Sequence, residues 1–442
     1  MSGLRVAVVG SGPAGVYATA ALTRAGAAVD VLDRLPAPYG LVRYGVAPDH
    51  VKMKSVDAAL RRILEHEDVR FLGNVEVGAD LTLDELRTYY DGVVFATGAA
   101  VDRRLGVPGE DVAGSFSATD FVAWYSGHPD AELDRFALHA RHVVVIGVGN
   151  VAVDVARVLT KSSAELRSTD VPGHVLAASA VTDVTMVGRR GPAQARFTTK
   201  ELRELGEISG ADVLVDPADL ELSEAEAAAV EGDRTLRANL EVLRDWSTRT
   251  PVGRPRRLHL RFWLRPVEVL GAGAVTGLRA ERSALVDGRL VGTGRTMDLP
   301  AEMVLRSVGY RVVPPAGLPL DPATGTVPHD GGRVLVDGAP LPGVYVAGWL
   351  KRGPTGIIGT NKPDATETVA SLLADDLPPA PHRDPDAIVE LLLERKVEAV
   401  EWAGWEAIDA AERALGEGRD CVRVKIADRE TLLSTARAHP AR

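Results

Sequence analysis

The sequence predicts an α/β protein with two Rossmann-like dinucleotide-binding domains, the second inserted into the first. Two glycine-rich turns each follow a short apolar run, and both are followed by a helical pattern and another apolar run. At 442 residues the chain is also too long for one compact core. The predicted boundaries are 1–103 and 326–442 for the first domain, and 104–325 for the inserted one.

The composition narrows the functional classes. A formal charge of −10 gives no general attraction to nucleic acid or to anionic lipid, and no apolar run reaches the length of a membrane span. The single cysteine, Cys421, excludes a disulfide framework and a CxxC dithiol. Because the first strand pattern begins at Leu4, no room remains for a signal peptide, so the expected location is cytoplasmic.

Apolar runs that end at glycine predict the strands. Strands that are joined through a helix pair in parallel, so each strand–helix–strand unit implies a parallel sheet. The first unit consists of strand 4–9, helix 13–25 and strand 29–32. The second unit consists of strand 143–146, helix 152–159 and strand 184–187. Two similar runs, at 93–98 and 344–348, predict further strands of the first sheet.

The first turn has the spacing of a dinucleotide site. Gly10, Gly12 and Gly15 supply, in order, the tight turn, the close approach of a pyrophosphate, and the packing of the helix on the sheet. Asp33 then ends the next strand, where a carboxylate can accept hydrogen bonds from ribose hydroxyls. Taken alone, Asp33 is equally typical of a solvated strand end.

The second turn repeats the pattern with Gly147, Gly149 and, at the third position, Ala152. After the next strand, Arg189 and Arg190 stand where an NAD site has an acidic residue. Two guanidiniums can hold a 2'-phosphate through charge-assisted hydrogen bonds, so this site is predicted to take NADP(H) rather than NAD(H). The alternative is a pair of exposed arginines in a surface loop.

Several longer motifs together resemble one family. They are YGLVRYGVAPDH (39–50), GNVEVG (73–78), RRGP (189–192), FTTKELRE (197–204) and GWLKRGPTG (348–356). In combination they are similar to the adrenodoxin reductase family of NADPH:ferredoxin reductases, which includes bacterial members. The resemblance extends over almost the whole chain. It implies an FAD-binding domain at 1–103 and 326–442, and an NADP-binding domain at 104–325.

The resemblance also implies cofactor contacts. The positions that match FAD contacts are Ala14, Asp33, Leu41, Val75, Trp349, Gly356, Ile357 and Ile358, and Gly356 is also implied to lie beside the nicotinamide. The positions that match NADP(H) contacts are Arg103, Asn150, Val151, Ala152, Val153, Arg189, Arg190 and Glu201. One departure is Asp33, because the family usually has glutamate there. A water or a small shift is expected to compensate for the missing methylene.

The resemblance implies the reaction: hydride passes from NADPH to the flavin, and single electrons then leave for a ferredoxin-type iron–sulfur protein. No metal is required. The resemblance places His50 and Glu204 near the nicotinamide as catalytic groups that stabilise or relay charge. The alternative for His50 is a hydrogen bond that caps its loop.

A basic segment predicts where the partner docks. Between positions 234 and 265 the chain has nine arginines against two acids, Glu241 and Asp245, on an acidic protein. Small ferredoxins are typically acidic, which makes this segment a candidate docking face. The alternative is that these arginines lie on a solvated helix and on an alternating strand, 258–264, and pair with acids elsewhere in the fold.

Three other functions are known for chains with two nucleotide sites of this kind or can be considered for them. A chain similar to the small subunit of glutamate synthase would need cysteine-bound clusters, which one cysteine cannot hold. A flavin monooxygenase would need a substrate cavity, which the sequence neither shows nor excludes. A nucleotide-bound sensor or scaffold would lack activity with a dye acceptor.

Overall fold

The structure is a computed structural model that describes residues 3–50, 56–99, 101–136, 138–377 and 379–438. The chain forms two compact units. Unit 1 consists of Met1–Val101, Ser126–Ala131 and Tyr310–Arg442, and unit 2 consists of Asp102–Tyr125 and Glu132–Gly309. The boundaries predicted from sequence lie elsewhere, at 103/104 and 325/326, and no feature of the sequence indicated the return to unit 1 at Ser126–Ala131.

The strands in chain order are β1 (Arg5–Val9), β2 (Ala28–Asp33), β3 (Val69–Gly73), β4 (Gly92–Phe95), β5 (Val101–Asp102), β6 (Ser115–Ser117), β7 (His142–Ile146), β8 (Asp183–Val187), β9 (Ala211–Val215), β10 (Arg256–Arg261), β11 (Leu264–Leu270), β12 (Gly277–Val286), β13 (Arg289–Pro300), β14 (Met303–Arg306), β15 (Tyr310–Arg311), β16 (His329–Asp330), β17 (Arg333–Val336) and β18 (Ala339–Val346).

The α-helices are α1 (Pro13–Arg24), α2 (Leu41–Tyr44), α3 (Asp57–Leu64), α4 (Leu83–Tyr89), α5 (Ala118–Tyr125), α6 (Asn150–Thr160), α7 (Ser163–Leu166), α8 (Thr199–Gly206), α9 (Glu224–Gly232), α10 (Arg234–Ser247), α11 (Trp349–Arg352), α12 (Asn361–Ala374), α13 (Ala387–Glu394), α14 (Trp402–Glu417) and α15 (Arg429–Arg437). Short 3-10 helices are Gly173–Leu176, Pro192–Gln194, Pro217–Leu220 and Ile358–Thr360.

Unit 1 is built on a seven-stranded sheet in the order β16-β17-β18-β4-β1-β2-β3. The five strands from β18 to β3 are parallel, and β16 and β17 add an antiparallel edge. Successive side chains of a strand point to opposite faces. Accordingly Val6 and Val8 of β1 join a hydrophobic cluster with α1, whereas Ala7 and Val9 join a second cluster on the other face.

Unit 2 is built on a six-stranded parallel sheet in the order β6-β14-β7-β8-β10-β9. The antiparallel sheet β11-β12-β13 completes this unit. Val144 and Ile146 of β7 share a hydrophobic cluster with Leu264, Leu278 and Val304. This cluster anchors the antiparallel sheet to the central strand of the parallel one.

The predicted elements around both glycine turns are confirmed. β1, α1 and β2 form the first strand–helix–strand unit, and β7, α6 and β8 form the second. The predicted strands near Val93 and Val344 pair in register within the first sheet, also as predicted. The single strand predicted at 258–264 is wrong. Trp263 has a φ of +58°, which ends β10 and starts β11 in a different sheet.

Candidate nucleotide-binding sites

The glycines of the first turn are required for two different reasons. A Cβ on Gly10 (φ +107°) would lie 2.6 Å from Ala96 O, and one on Gly15 would lie 1.8 Å from Gly10 O. These two positions therefore exclude side chains because the backbone packs there. A Cβ on Gly12 would meet nothing within 4 Å. The space in front of Gly12 is open, as the close approach of a pyrophosphate requires.

Asp33 lies next to this turn because β1 and β2 end at the same edge of the sheet, where the Gly10 N–H donates to Leu32 O at 2.7 Å. Its Oδ2 accepts hydrogen bonds from the Ser11 N–H at 2.8 Å and from the Ser11 hydroxyl at 2.5 Å. Its Oδ1 accepts one from the Leu35 N–H at 2.9 Å. A carboxylate offers about four acceptor positions, so capacity for a ribose hydroxyl remains.

The segment before α2 packs on the same turn. A Cβ on Gly40 would lie 3.0 Å from Gly12 Cα, and the Tyr39 N–H donates to Ser11 O at 3.1 Å. Leu41, the first residue of α2, is 41% exposed. Val75 is buried, and its N–H donates to Asp33 O at 2.9 Å. The predicted FAD contacts at Leu41, Asp33 and Val75 therefore flank one turn.

The strand β18 leads a third segment to this turn. A Cβ on Gly348 (φ +71°) would lie 2.6 Å from the Cβ of Ala14, so Gly348 and Ala14 touch. Trp349 Nε1 donates to Thr355 O at 3.1 Å, which holds the loop that leads to Gly356. Ile357 is 69% exposed. The predicted contacts Trp349, Gly356, Ile357 and Ile358 thus lie in the segment that leaves β18 beside Ala14 and runs into α12.

The second turn reproduces the first in unit 2. Gly147 (φ +144°) has no space for a Cβ, which would lie 2.2 Å from Ser307 O, whereas a Cβ on Gly149 would meet nothing within 4 Å. Gly149 is the N-cap of α6, and Ala152 is fully buried beneath it. The predicted contacts Asn150, Val151, Ala152 and Val153 form the first turn of this helix. Free backbone N–H groups at a helix start attract phosphate.

Arg189 and Arg190 follow β8 at the edge that carries this turn, because the Gly147 N–H donates to Val187 O at 2.9 Å. Their backbone is fixed: the Ser283 hydroxyl donates to Arg189 O at 2.6 Å, and the Trp263 N–H donates to Arg190 O at 3.2 Å. Both side chains are exposed, and neither guanidinium has an ion-pair partner among the described residues. They are free to bind a 2'-phosphate.

Trp263 is a site residue that sequence reasoning missed. Its indole ring lies so close to Gly191 that a Cβ there would be 2.2 Å from Trp263 Cζ2. Trp263 thus contacts the loop that carries Arg189 and Arg190 through both its backbone N–H and its ring. No local signal in the sequence marked it, because Trp263 lies within the strand predicted at 258–264 and its contact with Gly191 joins distant parts of the chain.

Arg157 was missed as well. This buried side chain of α6 donates from Nη2 to Asp154 Oδ1 at 2.8 Å. Its Nη1 lies 3.3 Å from Glu204 Oε2 and 3.8 Å from Glu201 Oε2. One guanidinium therefore ties α6 to both predicted acidic residues of α8. Its spacing of three residues from Asp154 was visible, but its partners on α8 were not.

The remaining predicted site residues are placed as follows. Arg103 belongs to unit 2, where its N–H donates to Gly309 O at 2.9 Å. His50 belongs to unit 1, where its N–H donates to Ala47 O at 3.0 Å. Glu204 lies on α8 in contact with Arg157. The catalytic roles of His50 and Glu204 stay predictions.

The nine arginines of the basic segment 234–265 fall into three groups. Arg256 donates from Nη1 to the backbone Thr160 O at 2.9 Å. Five of its arginines lie within 4.0 Å of a carboxylate of the same unit: Arg249, Arg254, Arg257, Arg261 and Arg265. Arg234, Arg237 and Arg244 of α10 are exposed and have no ion-pair partner among the described residues. The candidate docking face is therefore reduced to these three side chains, which we call the α10 arginines.

Two open glycine turns, each at the carboxyl edge of a parallel sheet, define an oxidoreductase of the class that binds two dinucleotides. The family model of the pyridine nucleotide-disulphide oxidoreductases matches residues 4–207. The chain is 44% identical to the NADPH-ferredoxin reductase FprA of Mycobacterium leprae, with 97% of each protein covered. It is 41% identical to the mitochondrial NADPH:adrenodoxin oxidoreductase of Arabidopsis thaliana, with 98% of this chain and 95% of the other covered.

A solved structure of Mycobacterium tuberculosis FprA in complex with NADPH is 43% identical, has a TM-score of 0.91 and covers 98% of this chain and 99% of that one. The chain belongs to the family of FAD-dependent NADPH:ferredoxin and NADPH:adrenodoxin reductases. The resemblance inferred from sequence is thereby confirmed. None of the helices in the described ranges is both long enough and apolar enough to span a membrane.

Proposed function

We propose that the chain transfers hydride from NADPH to bound FAD and then passes single electrons to a ferredoxin-type iron–sulfur protein. The observation that carries this proposal is the pair of open turns at Gly12 and Gly149. Within the described ranges, only the second turn is accompanied by two arginines that have no ion-pair partner. At the first turn, Arg34 follows Asp33 but forms an ion pair with Asp130, so this site suits FAD, which has no 2'-phosphate. The site with Arg189 and Arg190 suits NADP(H).

The residues of unit 1 fit FAD. Ser11 and Gly12 present a turn that is open to a pyrophosphate, and Asp33 has acceptor capacity for a ribose hydroxyl. Leu41 and Ile357 expose aliphatic surface that a flavin nucleotide would cover. When bound, FAD supplies the two-electron to one-electron conversion. The protein binds the nucleotide, orients it and limits the access of water.

The residues of unit 2 fit NADP(H). The α6 N-terminus faces the pyrophosphate, Arg189 and Arg190 hold the 2'-phosphate, and Glu201 contributes a polar contact on α8. We assign His50 and Glu204 the role of stabilising charge near the nicotinamide while hydride moves. We assign Arg103 to the NADP(H) site as well, because its backbone is anchored in unit 2.

The assignment of unit 1 to FAD and of unit 2 to NADP(H) corresponds to an NADP-binding domain inserted into an FAD-binding domain. The partner is an acidic ferredoxin-type protein that docks on the α10 arginines. A cytoplasmic location completes the proposal. Cell fractionation tests it, since activity in a membrane fraction would contradict it.

The first test identifies the cofactor and the acceptor. The released flavin should be FAD, and NADPH should reduce both ferricyanide and, through an added ferredoxin, cytochrome c. Released FMN would contradict the dinucleotide site. Ferricyanide reduction without any ferredoxin-coupled rate would contradict the partner, and no dye reduction at all would favour the sensor or scaffold alternative.

A second test examines the nucleotide. Replacing Arg189 and Arg190 together by alanine should raise the KM for NADPH strongly and leave that for NADH nearly unchanged, because only NADPH carries the 2'-phosphate. Each charge-assisted hydrogen bond that is lost costs about 1.5 to 3 kcal/mol. Equal losses with the two nucleotides would show that the pair does not bind the phosphate.

A further inference from the structure

We propose that Arg196 is a third cation of the NADP(H) site and that it contacts the pyrophosphate rather than the 2'-phosphate. This inference rests on the proposed nucleotide and adds a residue to which neither the motifs nor the resemblance assigned a role. The matched motif begins at Phe197, so Arg196 lies just outside it.

The backbone fixes Arg196 beside the glycine turn. Its N–H donates to Val148 O at 2.8 Å, and Val148 is the residue between Gly147 and Gly149. Two residues later, the Thr198 N–H donates to Asn150 Oδ1 at 2.9 Å. The segment 196–198 therefore runs alongside the turn and the start of α6, which is where the pyrophosphate of a dinucleotide lies.

The side chain of Arg196 is available at this position. Its neighbours Ala195 and Phe197 are buried, whereas Arg196 is exposed, so it projects away from the interior of unit 2. Its guanidinium has no ion-pair partner within the described part of the chain. In contrast, five of the arginines in the segment 234–265 lie close to carboxylates. An unpaired arginine beside an open phosphate turn can donate charge-assisted hydrogen bonds to that phosphate.

The pyrophosphate and the 2'-phosphate of NADP(H) are thereby assigned to separate cations. Arg189 and Arg190 follow β8, and Trp263 and Ser283 hold their backbone. Arg196 is held instead by Val148 of the turn itself. A cation at the pyrophosphate strengthens the binding of any pyridine dinucleotide, whereas a cation at the 2'-phosphate selects NADP(H) over NAD(H).

The experiment measures equilibrium binding to the oxidised holoenzyme with three probes: NADP⁺, which has both phosphate groups, NAD⁺, which has only the pyrophosphate, and 2'-AMP, which has only the 2'-phosphate. Arg196→Gln should weaken the binding of NADP⁺ and of NAD⁺ by a similar factor of about ten, which is the usual effect of losing one charge-assisted contact. Binding of 2'-AMP should stay within about two-fold, because more distant charges are screened.

Two variants serve as controls. The Arg189→Ala, Arg190→Ala double variant should show the reverse pattern: the binding of NADP⁺ and 2'-AMP should be weakened, and the binding of NAD⁺ should be nearly unchanged. Arg203→Gln, which changes another exposed arginine of unit 2, on α8, should leave the binding of all three probes unchanged. Far-UV circular dichroism and thermal unfolding of each variant report the folding of unit 2.

Unchanged binding of NADP⁺ and NAD⁺ by Arg196→Gln would overturn the inference. Weaker binding of NADP⁺ and 2'-AMP without any effect on the binding of NAD⁺ would also overturn it, because Arg196 would then bind the 2'-phosphate. Failure of the unmodified protein to bind NADP⁺ would instead overturn the proposed function, and this inference with it. The two failures are therefore distinguishable.

Discussion

The carboxylate of Asp33 accepts hydrogen bonds from both the backbone N–H and the hydroxyl of Ser11, at 2.8 and 2.5 Å. The side chain that is expected to bind the ribose thus also holds in place the glycine turn that is expected to bind the pyrophosphate. This double role is possible because β1 and β2 end side by side, so the end of one strand supports the turn after the other.

Replacing Asp33 by alanine should therefore weaken FAD retention far more than NADP⁺ affinity, because the turn and the ribose contact are lost together while unit 2 is unaffected. Each of these hydrogen bonds to a charged group is worth about 1.5 to 3 kcal/mol. The flavin content of the purified variant and its NADP⁺ titration after reconstitution measure the two effects. Equal weakening of both cofactors would contradict the assignment of Asp33 to FAD.

Arg157 should be a positioning residue. It is buried among Asp154, Glu201 and Glu204, so Arg157→Met leaves three carboxylates without their shared guanidinium. We expect a loss of about 3 kcal/mol in the stability of unit 2 and weaker NADP⁺ binding. Thermal unfolding and NADP⁺ titration measure these effects. Arg157→Lys retains the charge and should lose less, whereas equal losses in both variants would show that only the shape of the side chain matters.

The α10 arginines should control the encounter with ferredoxin. Reversing Arg237 and Arg244 to glutamate should lower the ferredoxin-coupled rate by about ten-fold at low salt and leave ferricyanide reduction within about two-fold, because only the protein partner is steered by charge. In the unmodified protein, added salt should lower the coupled rate more than the ferricyanide rate.

A matched control reverses two other exposed arginines of unit 2, Arg289 and Arg295 on β13, and so changes the net charge by the same amount. This control should retain the coupled rate. An equal decrease in both double variants would indicate a general effect of net charge, and docking would then lie elsewhere on the protein.

His128 should make unit 1 less stable in acid. Burial lowers its pKa to about 4, while the nearby Asp130 opposes the shift. Its Nδ1 accepts a hydrogen bond from the Asp130 N–H at 3.1 Å, so protonation would break this contact. Because the unfolded histidine titrates near 6.5, the contribution to stability is complete above that pH and is lost as the pH falls toward 4.

Between pH 7 and pH 5 we expect this histidine to cost about 2 kcal/mol of unfolding free energy. His128→Asn retains an acceptor for the Asp130 N–H but cannot take up a proton in this range. The decrease in Tm between the two pH values should therefore be smaller in the variant. The same decrease in both proteins would show that other groups dominate the acid sensitivity.

The sequence by itself determined the two glycine turns and the strands and helix around each. It also led to the prediction of NADP(H), through the positions of Arg189 and Arg190. These features are local: a turn, a strand end and a helix start fall within about 45 residues of one another, and the spacing rules apply directly to the chain. The family was determined in the same way, since its motifs are contiguous.

Only the tertiary structure decided which charged side chains are paired within the protein and which are available to bind a ligand or a partner. Arg257 and Arg244 look alike in the sequence, yet Arg257 pairs with Asp183, and Arg244 has no ion-pair partner in the described ranges. Arg157 acquires Glu204 as a neighbour only because α6 packs near α8, and Trp263 reaches Gly191 only because its φ of +58° divides the predicted strand. Partners that are distant in the chain are chosen by packing, which the pattern of a single segment does not encode.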